Sequence, residues 1–393
     1  MAEISLRTND GVYDPGDTLY GMIYLNVHQP IAGQCVSLSF KGYEKYKVRA
    51  PVIVDGIVKK YVQKSGKRML LDCSDVTVYE TNDGCPIPFG CYMFPFKFKL
   101  NLDLPGSCSY TSGSSNRVVV QYCVIAQVVG CGRVKAKQEF FINQRTEVAP
   151  TLSSSQTFGV RSWTNFFKKQ FVTLRTSILK GNFSTDDHIL LDIGSEEIEC
   201  LSNRPSDHEI SIQVLHDVKV ILPRWRSKSI INLESSALSD EDDDEIVDEK
   251  NLAEFVDVVK EMPVWSETLR SIDIDILKRS CRIRIPIDQF NGSVVCPSTN
   301  GKHILSDYKL RTEFRLSDEN PIVVILPIPS IHWSRDANTQ WANWTKKVED
   351  WFYGCQMVKG DQAVRPTKAK RVCAVPEDEL GTAFTGYPGL QPN

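Results

Sequence analysis

The sequence predicts an all-β protein with two tandem antiparallel β-sandwiches of the immunoglobulin-like kind, then a short C-terminal helix and a flexible tail. Three observations support this fold class. Apolar and polar residues alternate with period two, turn-forming residues recur roughly every ten residues, and the two halves of the chain share one layout. Such alternation gives each strand one apolar and one polar face, as in antiparallel sheets that pack against each other.

The alternation is clearest in residues 1–145, the predicted first sandwich. The segment FPFKFKL (94–100) places its three phenylalanines on one side and its two lysines on the other. Residues 36–40 (VSLSF) and 118–124 follow the same rule. We therefore expect each of these segments to be a strand that buries one face.

The stretch VYDPGDTLYGMIYLN (12–26) combines a turn with a strand, and a second copy lies further along the chain. Pro15 fixes φ and Gly16 accepts a positive φ, so the pair suits a type II turn. The segment NFSTDDHILLDI (182–193) repeats the layout at a constant offset of 170 residues. The matched pairs are Tyr13 with Phe183, Asp17 with Asp187, Leu19 with Ile189, and Ile23 with Ile193.

A second pair of matching segments occurs in the same order. LPGS (104–107) is followed by Tyr122 in a predicted strand, and CPS (296–298) is followed by Tyr308 in another. Two matches in the same order, in halves of similar length, favour tandem related sandwiches.

The boundaries of the predicted domains follow from loop signals. The first sandwich is expected over 1–145, an interdomain link with proline and a serine run over 146–171, and the second sandwich over 172–331. An acidic insertion, 238–250, interrupts the second sandwich. Residues 332–393 lack strand alternation and contain several prolines, so we expect one helix and then a flexible tail.

The composition argues against several classes of protein. A formal net charge of −3 argues against general nucleic-acid binding. The first residues lack a basic start followed by an apolar run, so we expect no signal peptide, and no apolar run is long enough to cross a bilayer. We therefore expect a cytosolic protein whose twelve cysteines stay reduced.

No arrangement typical of catalysis or metal binding stands out. The six histidines are scattered, no CxxC pair occurs, and the GxSxG, GxGxxG and P-loop patterns are missing. We expect no catalytic residues, no metal and no cofactor. Cysteine–histidine catalysis stays open as an alternative, because such residues meet in space rather than along the sequence.

Taken in order, these segments resemble arrestins, and especially the arrestin-domain-containing branch called alpha-arrestins. The resemblance covers roughly residues 4–330. In the first half it lies in VYDPGDTLYGMIYL, PIAGQCVSLSFKGYEKY, GCYMFPFKFKLNLDLPGS and RVVVQYCVIAQV. In the second half it lies in IRIPI, the CPS element, SDYKLRTEF and NPIVVILPI.

The resemblance implies two curved sandwiches side by side and a non-enzymatic adaptor, which binds membrane-protein cargo and connects it to trafficking or ubiquitination machinery. Two departures from the family stand out. The PPxY motif that recruits ubiquitin ligases is absent, and the segment before SDYKL is too short for the gate-type loop of receptor arrestins. Arg145 matches the basic residue of their ionic switch, although a solvated interdomain arginine is the simpler interpretation.

The most basic part of the chain is 41–68, with nine lysines and arginines against two acidic residues. Such a patch attracts phosphorylated tails or anionic lipid head groups. The alternative is a solvated hairpin with ordinary surface lysines. The candidate cargo, phosphate or head-group binding residues are Lys59, Lys60, Lys64, Lys67 and Arg68.

Residues 238–254 have the opposite charge, with nine acidic residues and one lysine. The neighbouring LAEFVDVV (252–259) spaces its apolar residues as one helical face. We expect a disordered loop that leads into a packed helix. The alternative is autoinhibition, in which the acidic run covers the basic segment.

The tail contains two further candidates. In TQWANWTKKVEDWF (339–352) one helical face carries Trp341, Trp344, Trp351 and Phe352. Such a face suits either a membrane interface or docking on the sandwiches, and we expect docking because exposed tryptophans favour aggregation. The segment YPGL, with Tyr387 and Leu390, has the form of a sorting signal read by clathrin adaptors, but the same pattern recurs in apparent strands.

We therefore expect an arrestin-like adaptor in the cytoplasm, peripherally associated with the plasma membrane or endosomes. Its expected partners are the tails of membrane-protein cargo, and the candidate further partners are clathrin adaptors, ubiquitin-ligase machinery reached without a PPxY motif, and an anionic lipid surface. A retromer-type endosomal coat subunit is the alternative with the same fold. A cysteine-dependent enzyme is the alternative from another class.

Overall fold

The structure is a computed structural model and shows a chain made of strands. It describes residues 2–81, 85–113, 115–132, 134–144, 152–161, 169–179, 181–196, 209–222, 255–270, 280–290, 295–315 and 321–334. Within these ranges the regular elements are twenty strands and one 3-10 turn at Ile287–Gln289. The prediction of an all-β fold is confirmed.

The first nine strands form two sheets. One sheet has the order β1-β3-β6, and the other has the order β2-β9-β8-β4-β5, with β7 paired to β8. Apart from the short parallel pair β2–β9, the pairings are antiparallel. The strands are β1 (Ala2–Thr8), β2 (Val12–Tyr13), β3 (Thr18–Val27), β4 (Cys35–Val54), β5 (Ile57–Glu80), β6 (Gly90–Lys99), β7 (Cys108–Ser112), β8 (Asn116–Val129) and β9 (Lys135–Ile142).

The remaining strands form three sheets. Their orders are β10-β11-β13-β16, then β15-β14-β18-β17 with β19 paired to β18, and the short parallel pair β12–β20. The strands are β10 (Leu152–Arg161), β11 (Lys169–Ile178), β12 (Asn182–Ser184), β13 (His188–Glu196), β14 (Glu209–Ile221), β15 (Phe255–Arg270), β16 (Cys281–Pro286), β17 (Thr299–Asn300), β18 (Ile304–Arg315), β19 (Ile322–Ile328) and β20 (Ser330–His332).

The alternating segments bury the faces that the sequence predicts. Ile23 and Leu25 on β3, and Phe94 and Phe96 on β6, belong to one apolar core. Burial extends further than predicted, however, because the polar side of β4 at Ser37 and Ser39 is also buried. The face of β4 that the sequence predicts to be exposed to solvent is therefore buried at these two serines.

The repeat at an offset of 170 residues is present in the structure. Gly16 has a φ of 89°, as a type II turn requires. The N–H of Asp17 donates to the carbonyl of Asp14, and that of Asp187 donates to the carbonyl of Ser184, at 3.0 Å in both cases. Leu19 and Ile189 are each the second residue of the following strand and are fully buried. The prediction that these two residues occupy equivalent positions is confirmed.

The two predicted tyrosines also make equivalent hydrogen bonds. The hydroxyl of Tyr122 donates to the carbonyl of Pro105 at 2.8 Å, and that of Tyr308 donates to the carbonyl of Cys296 at 2.6 Å. Two residues further on, the hydroxyl oxygens of Ser107 and Ser298 accept hydrogen bonds from the N–H groups of Ile142 and Ile331 respectively. The LPGS and CPS segments are therefore structural counterparts.

The apolar core of the first sandwich continues into the second. Ile210 and Val214 of β14 lie in the second core, whereas Val218 and Val220 of the same strand belong to the first. The pairing of β14 with β15 shifts register between these two groups. Such irregularities turn a strand and redirect its side chains. Because of these register shifts, β14 and β15 contribute buried side chains to both cores.

Three sequence-based expectations differ from the structure. The predicted link, 146–171, contains β10 and the start of β11, which pair with each other and join the second sandwich through β13. The predicted helical face in 252–259 is wrong from Phe255 onward, where the chain is strand β15. The strands also continue to His332, one residue past the expected end of the second sandwich.

Candidate functional site

The two longest described strands, β4 and β5, form the hairpin that carries the candidate binding residues. β4 pairs with β8 as far as Lys47, whereas its pairing with β5 continues to Val54. The turn is Asp55-Gly56, with φ values of 51° and 76°. Two consecutive positive φ values are typical of a type I′ turn, which follows the natural twist of a hairpin. The end of the hairpin therefore extends beyond the strand that supports its base.

Five cations lie together on the outward face of this hairpin and of β8. Lys45 lies opposite Lys67, and Lys47 lies opposite Arg117, so their side chains point to the same side. All five are exposed, and no acidic side chain in the described ranges forms an ion pair with any of them. This basic face consists of Lys45, Lys47, Arg49, Lys67 and Arg117.

The basic face opposes the stability of its own hairpin. Like charges directly across a strand pair are destabilising, and Lys45 and Lys67 form such a pair. Further along the same sheet the charges are balanced, since Lys41 lies opposite Asp72 and Lys137 forms a 2.7 Å ion pair with Glu139. The excess positive charge is thus confined to the end of the sheet near the projecting hairpin.

The five residues selected from the sequence do not form one patch. Lys67 belongs to the basic face. Lys60, Lys64 and Arg68 lie on the opposite face of the hairpin, because each pairs with a residue of β4 that points inward. Lys59 lies at a register shift close to the turn.

Sequence reasoning left Lys45, Lys47, Arg49 and Arg117 out of the candidate set. The sequence could have predicted the first three, because basic residues occupy every second position of EKYKVR (44–49) and must share one strand face. No pattern in the sequence near Arg117 predicts that it belongs to this group. It joins the group only because β8 pairs with β4.

The tip of the hairpin is apolar and exposed. Ile57 and Tyr61 have exposed fractions of 61% and 63%, and Val58 is also exposed. They stand next to Lys59 and near the basic face. Apolar groups at a projecting tip, bordered by cations, are suited to contact a partner that is both apolar and anionic.

The opposite face of β4 packs against the second sandwich and buries a carboxylate there. The side chain of Glu44 is fully buried, and its Oε1 accepts a 3.3 Å hydrogen bond from the N–H of His303. Its Oε2 lies 3.8 Å from the guanidinium of the half-exposed Arg68 and has no hydrogen-bond donor. Removing the partner of a buried charge costs about 3–5 kcal/mol. The pair therefore couples the inner face of the hairpin to the domain interface.

The two structurally equivalent loop segments contact each other at this interface. The hydroxyl of Thr299 donates to the carbonyl of Gly106 at 2.7 Å, and the N–H of Asn300 donates to Oε1 of Gln144 at 2.8 Å. A side chain at Gly106 would bring its Cβ within 2.9 Å of the carbonyl oxygen of Ser298. The close approach of the backbones thus requires glycine at this position.

Trp333, the residue after the last strand, contacts the first sandwich. The indole N–H of Trp333 donates to the carbonyl of Ser107 at 3.2 Å, and its backbone N–H donates to Oδ1 of Asn143 at 2.9 Å. Its ring lies 4.6 Å from that of Phe141. The start of the predicted C-terminal region is therefore anchored at the interface.

A buried group of cysteine, histidine and tyrosine side chains also lies between the sandwiches. His216 stacks on Tyr308 at 4.4 Å between ring centroids, and its Nε2 lies 3.0 Å from the hydroxyl of Ser306. The Cys296 thiol lies 3.7 Å from the same hydroxyl. Cys296 and His216 are both buried, so a substrate would have to separate the sandwiches to reach this thiol. The arrangement thus differs from an open catalytic cysteine site.

The described residues offer neither a metal site nor a membrane-spanning helix. Within the ranges given above, no group of three or more histidine, cysteine, aspartate or glutamate side chains could hold a metal ion. In that same part of the chain, no helix has the length and apolar character needed to cross a membrane.

Several residues chosen from the sequence lie outside the described ranges, and their proposed roles stay predictions. These residues are Arg145, Trp341, Trp344, Trp351, Phe352, Tyr387 and Leu390. The acidic insertion 238–250 and the predicted helix and tail beyond residue 334 lie outside the described ranges too.

Comparison with known families bears on the first sandwich. Residues 2–148 match the family described as arrestin (or S-antigen), N-terminal domain. The first sandwich is therefore an arrestin N-terminal domain. No curated protein matches the chain. The matched range contains all nine strands of the first sandwich, and with them the basic face and the arrestin-domain side of the interface.

The second sandwich repeats the turn, strand and tyrosine arrangement of the arrestin N-terminal domain. The repeated details include hydrogen bonds to main-chain carbonyls, which do not depend on the identity of most surrounding side chains. The similarity between the two halves is therefore visible in the structure.

Proposed function

We propose that this chain is a non-enzymatic adaptor that binds acidic or phosphorylated tails of membrane-protein cargo through its basic face. It would connect that cargo to endocytic, endosomal or ubiquitination machinery. The proposal places the protein in the cytoplasm, at the surface of the plasma membrane or endosomes. The observation that carries it is the group of five exposed cations on the outward face of β4, β5 and β8, which form no ion pair with an acidic side chain of the described residues.

Charge and geometry support this choice of ligand. Phosphate and carboxylate groups accept short, charge-assisted hydrogen bonds from lysine and arginine. An extended tail lying across β5, β4 and β8 would meet Lys67, then Lys45 or Lys47, then Arg117. The exposed Ile57 and Tyr61 would add an apolar contact at the tip.

The test is a charge reversal of Lys45 and Lys67, with binding measured by fluorescence anisotropy. The probes are a phosphoserine peptide and its unphosphorylated counterpart. We expect the affinity of Lys45→Glu/Lys67→Glu for the phosphopeptide to fall at least about tenfold, since a hydrogen bond to a charged group contributes about 1.5–3 kcal/mol. The difference should shrink at high salt, because ions screen exposed charges.

The matched control is Lys99→Glu/Lys135→Glu, which makes the same charge change at exposed positions of the same sandwich away from the basic face. Equal losses in both variants would mean that only net charge matters, and would contradict a defined site. Loss of binding to phosphatidylserine liposomes with unchanged peptide binding would assign the basic face to lipid instead of cargo tails.

The retromer-type coat subunit stays the alternative on the same fold. A permanent coat subunit would purify from cells with a partner in equal amount, whereas an adaptor would purify mostly as the free chain. Size-exclusion chromatography of the native protein with mass determination separates the two. A cysteine-dependent enzyme would have a thiol that reacts far faster than glutathione. We expect instead that the Cys296 thiol reacts slowly with a bulky alkylating reagent, because it is buried.

A further inference from the structure

Strand β5 has one edge that no described strand covers. It stands at the end of the sheet order β2-β9-β8-β4-β5, and among the described strands it pairs with β4 only. Between Lys60 and Met69 this pairing is regular, because its register shifts lie outside that stretch. The outer edge of such a strand presents a row of N–H and C=O groups with which another chain can pair. The middle of β5 is therefore suited to strand addition.

One hydrogen bond shows which backbone groups face this edge. The N–H of Arg49 donates to Oδ1 of Asn116 at 3.0 Å, so it points toward β8 and away from β5. Arg49 lies opposite Gln63. In an antiparallel pair, opposite residues exchange either two hydrogen bonds or none, and the two kinds of pair alternate along the strands. Gln63 therefore directs its N–H and C=O to the free edge, as do Tyr61 and Ser65, and all three residues are exposed.

The charge of this stretch selects the partner. Residues 59–68 contain five lysines and arginines and no acidic residue. Lys60, Lys64 and Arg68 lie on the inner face of the hairpin, and Lys67 lies on the outward face. Pairing with the same edge of a second copy would bring cations opposite cations, which destabilises a strand pair. An acidic strand would instead bring carboxylates opposite these cations.

We propose that the free edge of β5 binds an extended acidic segment of a partner protein by antiparallel strand addition, with a glutamate or aspartate at every second position. The carboxylates would lie on the inner face beside Lys60 and Lys64, and the residues between them would cover the exposed ring of Tyr61. In this mode the backbone hydrogen bonds provide affinity and the alternate side chains provide specificity. The inference does not depend on the adaptor function, because it does not use a tail lying across the basic face.

The test measures peptide binding to the unmodified full chain by fluorescence anisotropy. The probe is a capped, labelled peptide that alternates glutamate and valine and is long enough to span residues 60–68. N-methylation of its valine amides should weaken binding at least about tenfold, because these amides would donate to β5. N-methylation of its glutamate amides, which would point away from β5, should leave binding nearly unchanged. A peptide with lysine in place of glutamate should not bind.

Hydrogen exchange locates the bound peptide. The amides of Gln63 and Ser65 should exchange rapidly in the free protein and slowly in the complex. The amide of Lys64 points to β4 and should exchange slowly in both states. If Gln63 and Ser65 were already protected in the free protein, another part of this chain or a second copy would cover the edge, and the proposal would be overturned.

A matched pair of variants tests the same edge from the side of the protein. Ser65→Pro removes an N–H that faces the free edge, where a sheet tolerates proline, so the fold should persist while peptide affinity falls at least about tenfold. Ser65→Thr keeps this N–H and should bind as the unmodified chain does. The proposal is overturned if both N-methylated peptides bind equally well, or if Ser65→Pro separates a homodimer into monomers. Because the N-methylated peptides decide the question on the unmodified chain, a variant that fails to fold does not affect the outcome.

Discussion

Removing the hydroxyl of Tyr122 tests the part of the fold that both sandwiches share. Tyr122 is fully buried in the first core, and its hydroxyl donates to the carbonyl of Pro105 at 2.8 Å. Burial also raises the pKa of this phenol far above its usual value, so the group stays a neutral donor. Tyr122→Phe keeps the ring and its packing while it removes the donor to this buried carbonyl.

The expected loss follows from the burial of this hydrogen bond. A buried acceptor that loses its donor costs about 1–3 kcal/mol. For a domain of this size, each kcal/mol lowers the melting temperature by roughly 2–4 °C, so the total fall should be about 2–12 °C. Tyr308→Phe should give a similar loss in the second sandwich, where the hydroxyl donates to the carbonyl of Cys296 at 2.6 Å.

The assay is thermal unfolding followed by circular dichroism or calorimetry, with Tyr61→Phe as the matched control. The side chain of Tyr61 is 63% exposed, so loss of its hydroxyl should change the melting temperature little. If Tyr122→Phe melted at the same temperature as Tyr61→Phe, the hydrogen bond from the Tyr122 hydroxyl would contribute nothing to the stability of the fold. The physical basis for treating the two sandwiches as equivalent at this point would then be lost.

Two more substitutions test the interface and the second sandwich. Gly301→Ala would place a Cβ on the carboxylate of Glu44, so we expect a lower melting temperature and faster hydrogen exchange along the interface. Burial raises the pKa of Asp217, but the combined effect of the Lys309 ammonium and the Glu261 N–H is larger and in the opposite direction. The pKa therefore lies below its usual value. This carboxylate therefore adds stability above about pH 4, which is lost as the pH falls through the lowered pKa. Asp217→Asn should flatten that acid loss in melting curves measured against pH, and an unchanged pH profile would contradict it.

The sequence contains enough information for most of the fold. Period-two alternation identified β3, β4 and β6, and the Pro15-Gly16 turn has the positive φ at Gly16 that was expected. The boundary around β10 was missed because serines and a proline nearby are typical of loops, whereas the strand exists through its pairing with β11. Pairing between distant segments is not visible in local composition.

The helix expected over 252–259 shows a more specific limit. Val256, Val258 and Val259 are all buried, although strict alternation would expose one of the last two. The register shift beside Val259 places consecutive residues inward, which produces an apolar spacing similar to that of a helix. A bulge and a helical turn are therefore difficult to distinguish in so short a segment.

The candidate site was predictable only in part. Charge counting found the hairpin, and alternation at Lys45, Lys47 and Arg49 was available in the sequence to choose a face. The contribution of Arg117 depends on the pairing of β4 with β8, and the burial of Glu44 depends on the second sandwich. Both arise from contacts between segments far apart in the chain, which one sequence does not report.

The apolar core shared by the two sandwiches has a consequence for synthesis on the ribosome. Val48 and Ala50 of β4 are buried in the same cluster as Val256 and Val258 of β15. At about 5–20 residues per second, the chain needs roughly 10–40 s to add the intervening stretch. During that time the nascent first sandwich presents an uncovered apolar strand face. Cells that make this protein must protect the growing chain from association until its own second half emerges.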